Sequence, residues 1–338
     1  MRILHIISEA PPIRSGFARS VECLSRELSK LGHRVDVVSA KSIRHWRVGE
    51  IKLCYDFGKI YTLNLDDYDV VNIHGHTPTF SDNFLFSVKA RARDKPLVYT
   101  FHCLVNFYLS PISKLYNKVM GYLIGLADRI VVTTPSYFNF VRFSDKVRLI
   151  PWGVDYEFFH NRREKGDGYN VLFVGQMRPY KGLSILLKAI RGLNLTLHVI
   201  GDGPDRYRYQ ALARRLSLNN VCFYGNLDDL KLREFYSRCD VLTIPSISEN
   251  EAFGLVTLEA AAAGCAVIAT DLPGLRDVVG PFGVLVPPND LEALRKALIL
   301  LSREDVRSCY VEKGLKEAKK YSWEETGRRY AELYRELV

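Results

Sequence analysis

Short apolar runs rich in β-branched and aromatic residues alternate with helix-length amphipathic stretches along this chain, and they do so in two separate series. That alternation points to parallel α/β sheets, because a parallel strand needs a crossover, usually a helix, before the next strand can pair beside it. In the first series the expected strands are 2–7, 34–39, 70–73, 97–101, 130–133 and 147–150, with a helix over 17–30 that stops at Leu31 and Gly32. In the second series they are 170–174, 195–200, 221–224, 241–244, 266–269 and 283–286. Helices are expected there near 182–191, 205–217, 228–238, 255–263, 291–302 and 322–337. Pro151 to Asp155 and the charged stretch 161–168 separate the two series, which places the linker at 153–168. At 338 residues the chain is long for one core and sufficient for two. Open parallel sheets bind ligands beyond the carboxyl ends of their strands, so two in tandem predict a cleft between them. A tandem dehydrogenase or a two-lobed binding protein would show the same coarse pattern, and the architecture alone selects no function.

Composition removes several classes. No apolar run approaches 18 residues, so a membrane-spanning helix is not expected. Residues 1–9 are too short in apolar side chains for a signal peptide and read as a first strand. Seven cysteines, at 23, 54, 103, 222, 239, 265 and 309, form no C-x-x-C pair, which argues against a disulfide framework or zinc site and for a reducing cytosol. Residues 1–165 hold 24 Lys/Arg against 16 Asp/Glu, and residues 166–338 hold 23 against 22, so the net charge of +9 sits almost wholly in the first half. A basic half suits nucleic acid, an anionic membrane face or a negatively charged acceptor.

The chemistry-bearing residues gather after strands. Glu251 and Glu259 flank Phe253, Gly254 and Leu255, where a helix is expected to start, and Gly264 is expected to stop it. Helical side chains lean toward the N-terminus, so Glu259 can point to the same mouth as Glu251. The free N–H groups of the first turn there favour an anion. Two carboxylates beside an anion site suit a ligand that is part sugar and part phosphate. Gly16 opens the first helix, where a missing side chain lets a phosphate approach the backbone. His74 and His76 follow one strand and His102 another, with no further ligand at metal-binding spacing. No strand is followed by G-x-G-x-x-G, which weakens a nicotinamide-dependent reading.

Taken together these segments resemble the family-4 retaining glycosyltransferases. Glu251 and Glu259 match that family's E-x7-E segment, and the run from Val174 to Gly182 resembles its V-G-R-L-x-x-x-K-G, with Gln176 where the family has arginine. Ile200 to Pro204 matches I-G-x-G-P, Ala127 to Thr134 matches A-D-x-I-V-x-x-S/T, Ile150 to Asp155 matches I-P-N-G-V-D with Trp152 for Asn, and His102 matches the T-x-H position. The resemblance implies the GT-B fold, two Rossmann-like α/β domains facing across a cleft. Residues 1–160 would form the acceptor domain, joined by the final helix 322–338, and residues 161–321 the nucleotide-sugar domain.

By the same resemblance Glu259 holds the ribose hydroxyls. Glu251 and the backbone N–H groups of Phe253, Gly254 and Leu255 hold sugar hydroxyls and phosphate. Lys181 contacts the diphosphate, Gly16 lies at the donor, and Arg178 is the candidate to replace the arginine absent at 176. His102 lies beside the donor sugar, and His74 and His76 are placed on the acceptor side. Lysine and helix dipole stand in for a metal, so neither metal nor cofactor is expected. The implied activity is transfer of a hexose, with retention, from a nucleotide-diphosphate sugar to a glycan, lipid or small-molecule acceptor, with no nucleic acid partner. The alternatives are an inactive GT-B binding protein, suggested by Gln176, and a nucleotide-sugar epimerase or hydrolase. Residues 107–125 mix aromatics, aliphatics, Lys114 and Lys118 without an acid. That stretch reads either as an amphipathic surface for an anionic membrane or as a core helix with two solvated lysines. The expected location is cytoplasmic, with peripheral association at the inner membrane face as the membrane alternative.

Overall fold

A computed structural model describes residues 1–8, 15–39, 45–48, 51–54, 63–75, 77, 80–92, 94–104, 110–160 and 166–338. It divides into two compact units, Met1–Gly153 with Trp323–Val338, and Val154–Ser322. The boundary falls before residue 160 because Val154 bridges to Ser322, its N–H donates to Tyr321 O, and His160 Nδ1 lies 3.1 Å from Ala262 O.

The first unit contains β1 (Arg2–Ile7), α1 (Gly16–Lys30), β2 (Arg34–Ser39), β3 (His45–Val48), β4 (Ile51–Cys54), β5 (Val70–Gly75), α2 (Ser81–Arg91), β6 (Leu97–Phe101), α3 (Ser110–Leu123), β7 (Arg129–Val132) and β8 (Val147–Leu149). Six of these strands form one parallel sheet in the order β2-β1-β5-β6-β7-β8. Every residue of β5 and β6 is buried, as expected for central parallel strands covered on both faces. Ser15 caps α1, its Oγ accepting from Ala18 N at 3.1 Å. The last helix, α12 in chain order (Trp323–Arg335), packs on α1 and buries Tyr330 and Tyr334. Tyr330 stacks on Trp152, and Thr326 Oγ1 donates to Pro151 O.

The second unit runs α4 (Tyr156–Phe159), β9 (Asn170–Val174), α5 (Leu183–Ala189), β10 (Thr196–Ile200), α6 (Arg206–Arg215), β11 (Val221–Gly225), α7 (Asp229–Arg238), β12 (Val241–Ile244), α8 (Leu255–Ala262), β13 (Ala266–Thr270), α9 (Pro273–Val279), β14 (Val284–Val286), α10 (Leu291–Ser302) and α11 (Glu304–Ala318). Its parallel sheet has the order β11-β10-β9-β12-β13-β14, the nucleotide-binding arrangement in which strand order reverses beside the first strand. The reversal lies between β9 and β12 here and between β1 and β5 in the first unit.

Several elements escape the sequence pattern. β3 and β4 form an antiparallel hairpin outside the main sheet. In α2, Phe84, Leu85 and Val88 are buried while Phe86 is exposed, which blurs the helical stripe. α11 buries only Arg307, Gly314 and Ala318, so it carries almost no apolar periodicity to detect. β5 runs two residues beyond the expected end, which places His74 within the strand. Ser113 and Met120 of α3 are buried, whereas Leu115, Val119 and Tyr122 are exposed beside Lys114 and Lys118. The helix thus turns one side to the core and leaves the other exposed. Residues 105–109 lie outside the described residues.

Candidate functional site

In the second unit the site is built at the ends of β9 and β12. The turn after β9 (residues 179–182) is tied to the turn after β12, since Ile247 N donates to Tyr180 O at 2.7 Å. Gly182 adopts φ 70°, and a Cβ there would fall 1.8 Å from Pro245 O, so only glycine permits this approach. The approach brings Lys181 Nζ to Glu251 Oε2 at 2.5 Å, with the two side chains only 18% and 9% exposed. Ser246 Oγ donates to the same carboxylate oxygen at 3.0 Å. Burial pulls the Lys181 pKa down, but the Glu251 carboxylate more than offsets it, and the lysine is held well above its ordinary value while the nearby Arg178 charge opposes. The ammonium is therefore a fixed cation at any working pH.

Arg178 stands in the same loop. Its Nε donates to Gln176 Oε1 at 2.8 Å, and its backbone oxygen accepts from Tyr209 OH at 3.0 Å. It forms no ion pair among the described residues. The loop rests on Gly201, where a Cβ would lie 2.1 Å from Gly175 O. The glycines after β10 thus shape the support for Gln176 and Arg178.

Helix α8 begins at Leu255 after Gly254, as the sequence pattern predicts, and Gly264 closes its end in a left-handed conformation. The N–H groups of Phe253, Gly254 and Leu255 donate to no acceptor among the described residues, leaving an anion-favouring terminus. Phe253 is buried, its ring 6.1 Å from Tyr321. Glu259, 4% exposed, accepts from Tyr236 OH at 2.9 Å. The two glutamates therefore have separate partners. Tyr236 and Ser246, which orient them, lie in the segment leading into E-x7-E that also resembles the family, but their hydrogen bonds to the glutamates appear only in the fold.

In the first unit His74 and His102 come together at the ends of β5 and β6. His74 Nδ1 and His102 Nε2 are 3.1 Å apart, and both residues are buried. His74 also lies beside His5 of β1, with ring centroids 5.0 Å apart. His5 faces Ser25 Oγ and Tyr334 OH. Burial lowers the His5 pKa to about 3 and holds that of His74 well below 6.5, with His5 and His102 adding to the effect on His74. Phe17 and Trp152 pack on His102. Gly16 begins α1, with open space where its Cβ would be. His76 lies outside the described residues, as do residues 9–14 of the preceding loop. Among the described residues no three His, Cys, Asp or Glu side chains converge as a metal site. No described helix is long and apolar enough to cross a membrane.

Residues 155–320 match the sequence profile of the family described as Glycosyl transferases group 1, and residues 14–158 that described as Glycosyltransferase Family 4. The chain is also 31% identical to a phosphatidyl-myo-inositol mannosyltransferase of Mycobacterium leprae, over 76% of this chain and 70% of that protein. The chain belongs to the group 1 glycosyltransferases. The D-rhamnosyltransferase WbpZ of Pseudomonas aeruginosa is 33% identical over 68% of this chain, and the match spans 63% of WbpZ's own length. The structure superimposes on sucrose-phosphate synthase from Thermosynechococcus elongatus with a TM-score of 0.82 at 23% identity, covering 100% of this chain and 99% of that one. HepE from Anabaena, solved with UDP and glucose, aligns with a TM-score of 0.75 at 18% identity over 99% and 100% of the two chains. The fold of this group 1 glycosyltransferase is GT-B, as its sequence resemblance implied.

Proposed function

We propose that this chain is a retaining glycosyltransferase that moves a hexose from a nucleotide-diphosphate sugar to an acceptor without a metal. The observation that carries the reading is the buried Lys181–Glu251 pair where the second sheet reverses its strand order, together with the unpaired N–H groups at the start of α8. Lys181 and that helix terminus offset the charge that develops on a leaving diphosphate. Arg178, held by Gln176, supplies the second cation in place of the arginine that relatives carry at 176. Glu259, fixed by Tyr236, accepts from ribose hydroxyls, and Glu251 from sugar hydroxyls. In the reaction the anomeric C–O bond to phosphate breaks, and the acceptor oxygen bonds the same face of that carbon. The acceptor's proton passes to the departing phosphate, with no covalent enzyme intermediate. The resemblance assigns His102 to the reacting sugar and the His74–His76 segment to the acceptor side.

The relatives named as mannosyl- and rhamnosyltransferases favour mannose or rhamnose as the transferred sugar, and HepE's UDP-glucose complex keeps glucose in view. Incubation with UDP-, GDP- and ADP-linked hexoses should release nucleotide only when an acceptor is present, and give a product of unchanged anomeric configuration by NMR. Inverted product removes the retaining mechanism. Nucleotide release without acceptor identifies a hydrolase, and tight binding without turnover an inactive binding protein.

The exposed Leu115, Val119 and Tyr122 beside Lys114 and Lys118, with Arg142 over the Tyr122 ring, favour a lipid-linked acceptor reached at an anionic membrane surface. Flotation with anionic vesicles at low salt, lost at high salt, is the expected result; no flotation at low salt points to a dissolved acceptor.

A further inference from the structure

We infer that His74 is a positioning residue that fixes the tautomer of His102, keeping His102 Nε2 as an acceptor and its proton on Nδ1. The two rings share one hydrogen bond, His74 Nδ1 to His102 Nε2 at 3.1 Å. One of these nitrogens carries the shared proton, and the distance alone does not say which. The other side of His74 decides. Its Nε2 is buried and has no hydrogen-bond partner among the described residues.

A neutral imidazole has one N–H. If the shared proton sat on His102, His74 would carry its own proton on Nε2, as an orphaned buried donor. If the shared proton sits on His74 Nδ1, the orphan at Nε2 is only a lone pair. Buried N–H groups without partners are rarer than under-satisfied acceptors, and each leaves its desolvation cost uncompensated. His74 Nδ1 therefore donates, and His102 Nε2 accepts. A doubly protonated His74 would still donate from Nδ1 but would bring back the orphaned Nε2 donor. Burial, and then the charges on His5 and His102, hold its pKa well below 6.5.

Among the described residues, the groups packed on the pair are imidazole, hydroxyl and aromatic side chains. His5 from β1 lies 5.0 Å away, ring to ring, and faces Ser25 and the Tyr334 hydroxyl of α12. Phe17 from α1 and Trp152 pack on His102 at 4.2 and 5.3 Å between centroids. With Nε2 occupied, His102 is a neutral hydrogen-bond donor through Nδ1 and not a general base through Nε2. Only the next step rests on the proposed function: in the reaction that donor serves an oxygen of the transferred sugar, and His74 acts solely through it.

Nitrogen-15 NMR of the full chain, with labelled histidine, reads the tautomers directly, and His74→Asn and His102→Asn assign the signals. The expected pattern is an N–H type Nδ1 and a bare Nε2 for both His74 and His102 at neutral pH. An Nε2–H on His102, or a doubly protonated ring at either position, overturns the inference. In turnover assays His74→Leu should lower kcat about tenfold, the scale of one lost buried hydrogen bond, with donor KM unmoved. His74→Asn, whose amide N–H can stand in for Nδ1–H, should recover most of that loss. Equal losses in the two variants, or a loss in KM alone, contradict positioning through the hydrogen bond. Should the chain prove to transfer no sugar, the NMR pattern decides alone.

Discussion

Where strand order reverses, the second unit places Lys181, Glu251 and Arg178, whereas the first places His5 and His74 with His102 one strand further on. The sheets share strand number and parallel sense, yet one cluster is ionic and the other neutral. The difference follows from what each can pair. A buried charge persists only with a close partner, and Glu251 supplies one for Lys181. Around His74 the neighbours are other imidazoles, phenols and aromatic rings, so burial drives the proton off. The first half's surplus of basic residues thus lies outside this cluster, on exposed positions such as Lys114, Lys118 and Arg142.

The sharpest way to break that contrast is to disable the ion pair. Glu251→Ala should abolish transfer, and Lys181→Ala should lower turnover on the order of 10²-fold or more, the scale of lost electrostatic stabilisation of a leaving group. Steady-state kinetics checks both, with circular dichroism to confirm folding. Near wild-type turnover in either variant would make the pair structural and dissolve the contrast. Arg178→Ala should be comparably harmful. If it is harmless, Lys181 and the α8 terminus alone serve the phosphate.

Acid should act on the first unit before the second. The folded-state pKa of His5 lies near 3 against 6.5 for an ordinary histidine, and that of His74 is also depressed. The unfolded chain therefore binds protons between those values that the folded unit refuses. Their contribution to stability is complete above pH 6.5 and is lost as pH falls toward 3, at up to about 1.4 kcal/mol per pH unit for each histidine. Hydrogen exchange followed from pH 7 to 4 should show β1 and β5 losing protection ahead of β9 and β12. Simultaneous loss in both sheets would mean that the histidine cluster does not govern acid stability.

A smaller effect is expected at the second carboxylate. Glu259→Ala should weaken donor binding by about 1–3 kcal/mol, the range for hydrogen bonds to a charged group, while sparing turnover at saturating donor. Calorimetric titration with the nucleotide alone measures it. A variant that loses kcat and keeps donor affinity would move Glu259 from ribose to the reacting sugar.

The strand–helix alternation, the division in two and the family were open to the sequence, because strand and helix periods are local properties and the motif residues lie within short runs. Helix α8 between Gly254 and Gly264 is the clearest case, since both glycines mark its ends. Elements with a weak local signature were not: α11 has almost no apolar stripe, and the β3–β4 hairpin pairs strands of only four residues each, with Gly49 as the one turn residue between them in sequence. The site shows the same limit. Lys181, Glu251, Glu259 and His102 could be named from motifs, but not that Lys181 bonds Glu251 across 70 residues or that Tyr236 holds Glu259. Nor could it be read that Gln176, which looked like a loss, holds Arg178, or that His74 meets His102 from the neighbouring strand. Those pairings depend on strand order, on the approach that Gly182 permits and on burial, and such long-range geometry exists only once the chain has folded.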